Sequence, residues 1–537
     1  MVNPPYNHLG LFPQCGILIV YGDEASTSFR GMTQPFPFPQ LESGITEVDG
    51  FLLCRRPGCA WCAGSPESVP LHWDCLEIFR NQCSIRWADA LCRLWVAAAW
   101  RTPWRGASPI CFPIDATRSL SLKALCDICK LPHLHKLPLE ILQMIQSYSE
   151  HALIWRSVLA FDLAAHISKK TPSSFSTIPL QDILFWEREN QPQATSSPSP
   201  PLIRITVDLI GISKSQAIFK CKAQLKDGFL HLELASSCPP AVWNTPNPPN
   251  LQLCRAYETK QVLYYQRFFA VEVASIRGIT FFFSSHQLYG VYVHLSGALC
   301  ALSSLQRLPP RRQKSALWCY LPITNLDRIL VLGVRTSPNQ HVNILVRMEK
   351  AGDVIVRQYM SSPAEDRCLG WHAPITLVHG EPQEGQPVPY FGAYCQPPTR
   401  SKLPKRFQAY EPKSYPIGKE AYLSMASLED LQSVKVFYDR DSRYCRGMLL
   451  YYQNGGCRAV GQCRIDVDTS KQFWQPSQIC FRMDSVCGNS HEVLYNVQVD
   501  GRADSHTHKE KGWNCKPLKG VLAFWYTHNS SFITMEK

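Results

Sequence analysis

Ile203-Arg204-Ile205-Thr206-Val207-Asp208-Leu209 alternates apolar and polar residues without a break. That period of two marks a strand with one buried face and one wet face. Gly228-Phe229-Leu230-His231-Leu232-Glu233-Leu234 repeats the pattern. Further strands are expected over 278–283, 290–295, 316–320, 329–334, 342–347 and 354–357, and again over 434–438, 448–452, 458–463, 477–481, 493–499 and 521–526. Turn residues separate them, for instance Ala351-Gly352-Asp353 and the hairpin signal Asn454-Gly455-Gly456. Short strands punctuated in this way imply a large antiparallel β-rich region, a sandwich or a prism-like fold. A Pro-rich connection over 380–417 divides it into a first part, 203–379, and a second part, 418–537.

Upstream, the composition changes. Gln191-Pro192-Gln193-Ala194-Thr195-Ser196-Ser197-Pro198-Ser199-Pro200-Pro201 lies in a stretch, 169–202, that reads as a Pro/Ser-rich linker. Before it the period is helical. Leu137, Ile141, Leu142, Ile145 and Tyr148 fall on one stripe of a helix that Pro138 can open, with Glu140 in the first turn where the dipole favours an acid. A second apolar burst follows over 152–164. The two form a helical hairpin over 136–168, making the whole chain α+β and multidomain.

The run Leu137-Pro138-x-Glu140-Ile141-Leu142-x-x-Ile145 resembles the opening of the F-box, and Trp155-Arg156-Ser157-Val158 resembles its later part. As a whole the chain is similar to large fungal F-box-like proteins, with Gly278-Ile279-Thr280-Phe281-Phe282-Phe283-Ser284 and Tyr444-Cys445-Arg446-Gly447-Met448-Leu449-Leu450 as corresponding text. The resemblance implies a substrate-recognition adaptor of a Skp–cullin–F-box ubiquitin ligase, acting in ubiquitin-dependent degradation. Helices 137–165 would dock on the Skp-type adaptor of the cullin complex, and the β-rich half would present a protein substrate. Leu137, Pro138, Ile141 and Ile145 are the expected anchors, while Leu142 and Trp155 hold the hairpin together. Leu449-x-Tyr451-x-Gln453-Asn454-Gly455, continuing to Val460-Gly461, looks like a jacalin-type β-prism repeat. The competing expectation is therefore a lectin-like binding or scaffold protein whose helices are only structural.

Residues 1–50 read as a partly ordered leader containing a strand over 16–21. Residues 51–135 read as a mainly helical region rich in Cys and His. Cys59-x-x-Cys62 and His72-x-x-Cys75 are two close pairs, the second at the start of a helix expected over 71–80. Such pairs can converge on a tetrahedral structural zinc, with Cys59, Cys62, His72 and Cys75 filling all four positions. Buried thiols are the competing account, because free Cys packs readily into cores. Cys126-x-x-Cys129 with His133 and His135 has ligand-like residues, but its helical register suggests ordinary packing.

Composition is that of a folding chain, 45% hydrophobic and 18% charged. The net charge of +12 is scattered over 537 residues and forms no long basic tract. No nucleic-acid partner is expected. No signal sequence or membrane span is legible either, and the 23 cysteines are odd in number and irregularly spaced. These features suggest an intracellular protein of the cytoplasm or nucleus without a disulfide framework. The sequence has no Gly-x-Ser-x-Gly elbow, phosphate loop or His-Glu-x-x-His helix, and the chain is read as non-enzymatic. Ser284, Ser285 and His286, and Asp439 with Asp441, are the residues from which a hydrolase could otherwise be assembled.

Overall fold

The computed structural model describes residues 15–21, 29–32, 36–37, 45–48, 51–54, 68–99, 121–149, 153–169, 183–187, 190–194, 202–208, 211–218, 229–233, 241–245, 247–259, 266–295, 300–306, 308–337, 341–358, 365–382, 386–395, 404–408, 416, 421–487, 491–500, 508 and 511–536. The chain divides into two compact units, Met1–Pro248 with Val262–Phe268, and Pro249–Gln261 with Phe269–Lys537.

The first unit begins with a strand, Cys15–Tyr21, paired antiparallel with Phe29–Met32 and with Ser68–His72. The stretch read as a leader thus contributes to the unit's first sheet. The helix expected over 71–80 starts later: Leu71 and His72 are spent on pairing with Ile17 and Gly16, and α1 runs Trp73–Gln82. α2, Trp87–Ala99, ends ahead of Pro103, a residue that cannot continue a helix. Three more helices follow, α3 (Ser121–Ile128), α4 (Leu139–Tyr148) and α5 (Leu153–Lys169).

α5 is the helix on which the others converge. It packs against α1, α2 and α3. Polar side chains fix its position: Arg93 donates to the Ile167 carbonyl at 2.5 Å, Ser121 hydrogen bonds Asp162, and the Ser84 N–H donates to Ser168 Oγ at 3.1 Å. Beyond the helices, the strands Ile183–Glu187, Leu202–Asp208, Gly211–Ile218, Phe229–Glu233 and Ala241–Trp243 form an antiparallel set. Gln193–Ala194, at the head of the Pro/Ser-rich run, folds back onto Ile183 and Phe185. The unit therefore continues past 202, through strands of the type seen in the alternating 203–209 segment. Its last pairing is parallel, residues 241–243 with 266–268, where buried Trp243 stacks on Phe268 at 5.0 Å.

The second unit is built from antiparallel strands. Gln287–His294, Gly278–Ser284 and Leu317–Pro322 make a three-stranded sheet. Glu365–Trp371, Ile329–Thr336, Val342–Met348, Gly352–Gln358, Tyr422–Ser427, Val521–Tyr526 and Ser531–Glu536 make one of seven strands. Cys457–Gly461, Cys445–Tyr452, Leu431–Tyr438 and Thr469–Trp474 make a four-stranded sheet, and His491–Asp500, Gln478–Cys487 and Asn514–Pro517 another of three. One apolar cluster runs through this unit, with Phe281, Phe283, Ile344, Leu377, Phe391, Met448 and Phe524 among its buried members. Residues 380–417, read as a Pro-rich connection, contain the strand Tyr390–Cys395, and Phe391 in that strand is fully buried.

The tight turns follow local chemistry. Ser285 and His286, at φ 45° and 72°, join Gly278–Ser284 to Gln287–His294, the two left-handed positions of a primed hairpin turn. Asn454-Gly455 likewise reverses the chain between Cys445–Tyr452 and Cys457–Gly461, with Gly455 at φ 88°. No described helix is long and apolar enough to cross a membrane.

Candidate functional site

α4 and α5 are joined by four residues, and their sequence explains the geometry of the pair. Pro138, extended at φ −52° and ψ 147°, precedes the first helical residue, and its carbonyl accepts from the N–H groups of Ile141 and Leu142. At the other end Ser149 closes α4: its N–H donates to the Ile145 and Gln146 carbonyls, and its hydroxyl also donates to Ile145 O at 2.5 Å. The Trp155 indole N–H then donates to Ser149 Oγ at 3.0 Å. One serine thus caps α4 and receives the anchor of α5.

The inner side of this pair is a small core of Leu122, Leu125, Cys126, Leu142, Trp155 and Val158, with Leu137 and Ile145 packed against it half-buried. Leu142 at 5% exposure and Trp155 at 2% are covered by the chain itself and are not open to a partner. Pro138 is exposed and Ile141 is 40% exposed. The outer side is where sequence reasoning was incomplete. Met144 at 54% and Tyr148 at 87% exposure continue the line begun by Ile141, at i, i+3 and i+7 on one helix face. Ile145, expected as an anchor, instead packs half-buried against the inner core, and Met144 takes the outward place. Ile128 and Leu131, at 63% and 47%, are further exposed apolar side chains in the segment before α4.

Of the expected zinc ligands, Cys59 and Cys62 lie outside the described residues. His72 ends the strand Ser68–His72, and Cys75 is buried in the first turn of α1. In the Cys126 set, Cys126 is fully buried and burial pushes its thiol pKa up, whereas Cys129 and His133 are exposed. Among the described residues, one group of His, Cys, Asp or Glu side chains draws its ligand atoms together: Cys480, His508 and Cys515, all within 4.8 Å of one another. Sequence reading missed it, because 34 residues lie between the two cysteines and only strand pairing brings them together.

The residues from which a hydrolase could be assembled have other partners. Ser284 Oγ lies 2.8 Å from Ser315 Oγ and accepts from Arg312 at 3.3 Å, while the His286 ring packs on His341 at 4.6 Å. Asp439 accepts from the Asp441 and Ser442 N–H groups, the Ser442 hydroxyl and the Arg446 guanidinium. Burial would raise its pKa, but these donors outweigh burial and hold the carboxyl well below the usual range. It is an anchored turn carboxylate.

A cleft of about 640 Å³ opens beside the Asn454 hairpin, lined by Lys350, Asp430, Tyr452, Gln453, Asn454 and Arg458 among others. Several of its polar groups serve the fold. Asn454 bridges Gly456 N–H and the Lys350 carbonyl, and Arg458 donates to the carbonyls of Ala351, Asp353 and Met425. The chain matches no protein-family model, and no curated protein matches it either.

Proposed function

We propose that the protein is a non-enzymatic adaptor of a Skp–cullin–F-box type ubiquitin ligase, docking through residues 137–165. The observation that carries this reading is the outward apolar stripe Ile141, Met144 and Tyr148 on a helix whose opposite face is anchored by Leu142 and Trp155. Large apolar side chains held in the open by a rigid hairpin are what a helix-docking partner buries, and a few of them dominate such interfaces. The F-box-like text Leu137-Pro138-x-Glu140-Ile141 names the partner class, a Skp-type adaptor. In this reading the β-rich unit presents a protein substrate, and the complex works in the cytoplasm or nucleus. A structural zinc on Cys59, Cys62, His72 and Cys75 belongs to the same proposal, stiffening the region ahead of the helices. Equal zinc content in wild type and Cys59→Ser/Cys62→Ser would remove that part.

Capture of the whole chain by an immobilised Skp-type adaptor tests the docking. Wild type is expected to bind, and Leu137→Ala/Ile141→Ala to be retained several-fold less while keeping its helical circular dichroism. No capture of folded wild type would refute the reading.

A further inference from the structure

We propose that Cys480, His508 and Cys515 bind a single zinc ion that staples the short strand Asn514–Pro517 to its sheet. Gln478–Cys487 and Asn514–Pro517 run antiparallel, with Cys480 directly opposite Cys515. Directly opposed residues project from the same face with their Cβ atoms about 5 Å apart, so both thiols point to one side. His508 completes the group: its Nε2 is 3.3 Å from Cys515 Sγ, and all three ligand atoms lie within 4.8 Å of one another. Around a tetrahedral zinc, with bonds of about 2.3 Å to sulfur and 2.0 Å to nitrogen, adjacent ligand atoms sit roughly 3.5–3.8 Å apart. Small side-chain rotations bring the present spacing to that value.

The surroundings orient the imidazole. The ring of His508 stacks on Trp513 at 4.3 Å and 11° between planes, and Arg482 lies over the Trp513 ring at 5.5 Å. Gly512, at φ 95°, supplies the left-handed turn that sets Trp513 in place. Neither cysteine is in a disulfide; Cys480 is buried and Cys515 exposed. Two thiolates and an imidazole form a donor set suited to zinc and not to the oxygen-seeking calcium or magnesium. Binding would release both thiol protons to solvent, and a water molecule on the exposed side of Cys515 would complete the tetrahedron.

The strand itself gives the ion its task. All four residues of Asn514–Pro517 are exposed, so little apolar burial holds this strand to Gln478–Cys487. A metal bridge from exposed Cys515 to buried Cys480 supplies the missing attachment. The site is independent of the docking helices, and its success or failure leaves that reading untouched.

The test uses the whole chain, purified under reducing conditions and titrated with zinc and, in parallel, cobalt(II). Wild type should take up about one equivalent more metal than Cys515→Ser or His508→Ala. Its cobalt form should show the thiolate charge-transfer and intense visible bands of a tetrahedral site, diminished in both variants. Cys515→Ser alters an exposed position and is expected to stay folded, which thermal melting checks. Cys59→Ser/Cys62→Ser should keep this equivalent. Metal uptake and cobalt spectra unchanged in both Cys515→Ser and His508→Ala would overturn the proposal, as would a Cys480–Cys515 disulfide in metal-free chain that persists under reductant.

Discussion

His379 sits in the buried strand Ile375–Gly380 with its ring stacked on Phe269 at 5.1 Å. Burial pulls its pKa down to about 4, and burial does the same to His294, whose ring meets Thr280 Oγ1 at 2.8 Å. A histidine with a depressed folded pKa binds fewer protons folded than unfolded between about pH 4 and 6.5, so stability falls as the pH drops through that window. Each ring accounts for at most about 3 kcal/mol. Denaturant unfolding followed at pH 7 and pH 4.5 should therefore show the second unit weakening, and His379→Phe, which keeps the stack on Phe269, should weaken less. A midpoint equally pH-dependent in wild type and variant would contradict this. At this scale the sequence is least informative. His379 looks like any other histidine in it, and only packing makes it a buried neutral ring. Turn chemistry is the exception, since Asn454-Gly455 announced a reversal in which Gly455 takes the left-handed position.

The α4–α5 pair shows what an element's sequence can and cannot say. Its helices were legible because Pro138, Glu140 in the first turn and the apolar spacing are local signals. Which face would be covered was not, because α3 and α5 decide that from a distance: Leu122, Leu125 and Val158 claim Leu142, leaving Ile141 and Met144 outside. Trp155 ties the pair together, being 2% exposed in the shared core and bonded to Ser149. Trp155→Phe would lose the bond to Ser149 and cost about 1 kcal/mol, whereas Trp155→Ala would cost about 3–5 kcal/mol. Thermal unfolding of the two variants, followed by helical circular dichroism, should rank them in that order. The strand Thr469–Trp474 marks the opposite case. Thr-Ser-Lys-Gln-Phe-Trp has almost no alternation, being almost wholly exposed, yet all of it pairs with residues 433–438 of the strand Leu431–Tyr438. An edge strand with polar residues on both faces gives no periodic signal.

Across the molecule, most expected strands after 203 are present, since alternation reports burial directly. The partition was harder to read. Pro-rich text suggested a break over 380–417, but Phe391 belongs to the apolar cluster that also takes in Val273 and Ile533. Long-range polar ties reinforce that unity. Arg458 on Cys457–Gly461 reaches the Ala351 and Asp353 carbonyls at 2.6 and 2.8 Å and the Met425 carbonyl at 3.3 Å, joining three separate stretches of chain. Arg458→Met keeps the aliphatic stem and leaves those carbonyls without this donor, for an expected loss of roughly 3 kcal/mol. Calorimetry of the whole chain should show the second unit's transition lowered as one event, whereas two separated transitions would mean the strands around 350 and 458 fold independently.

The docking role is tested most directly by the affinity of the whole chain for a Skp-type adaptor, measured by titration calorimetry for wild type and for Ile141→Asp/Met144→Asp. Both positions are at least 40% exposed, so the change spares the inner core. Wild type should bind saturably and the variant about 100-fold more weakly or worse, the range expected when central apolar anchors are removed. Binding of equal strength by both proteins, or none by folded wild type, would contradict the docking role.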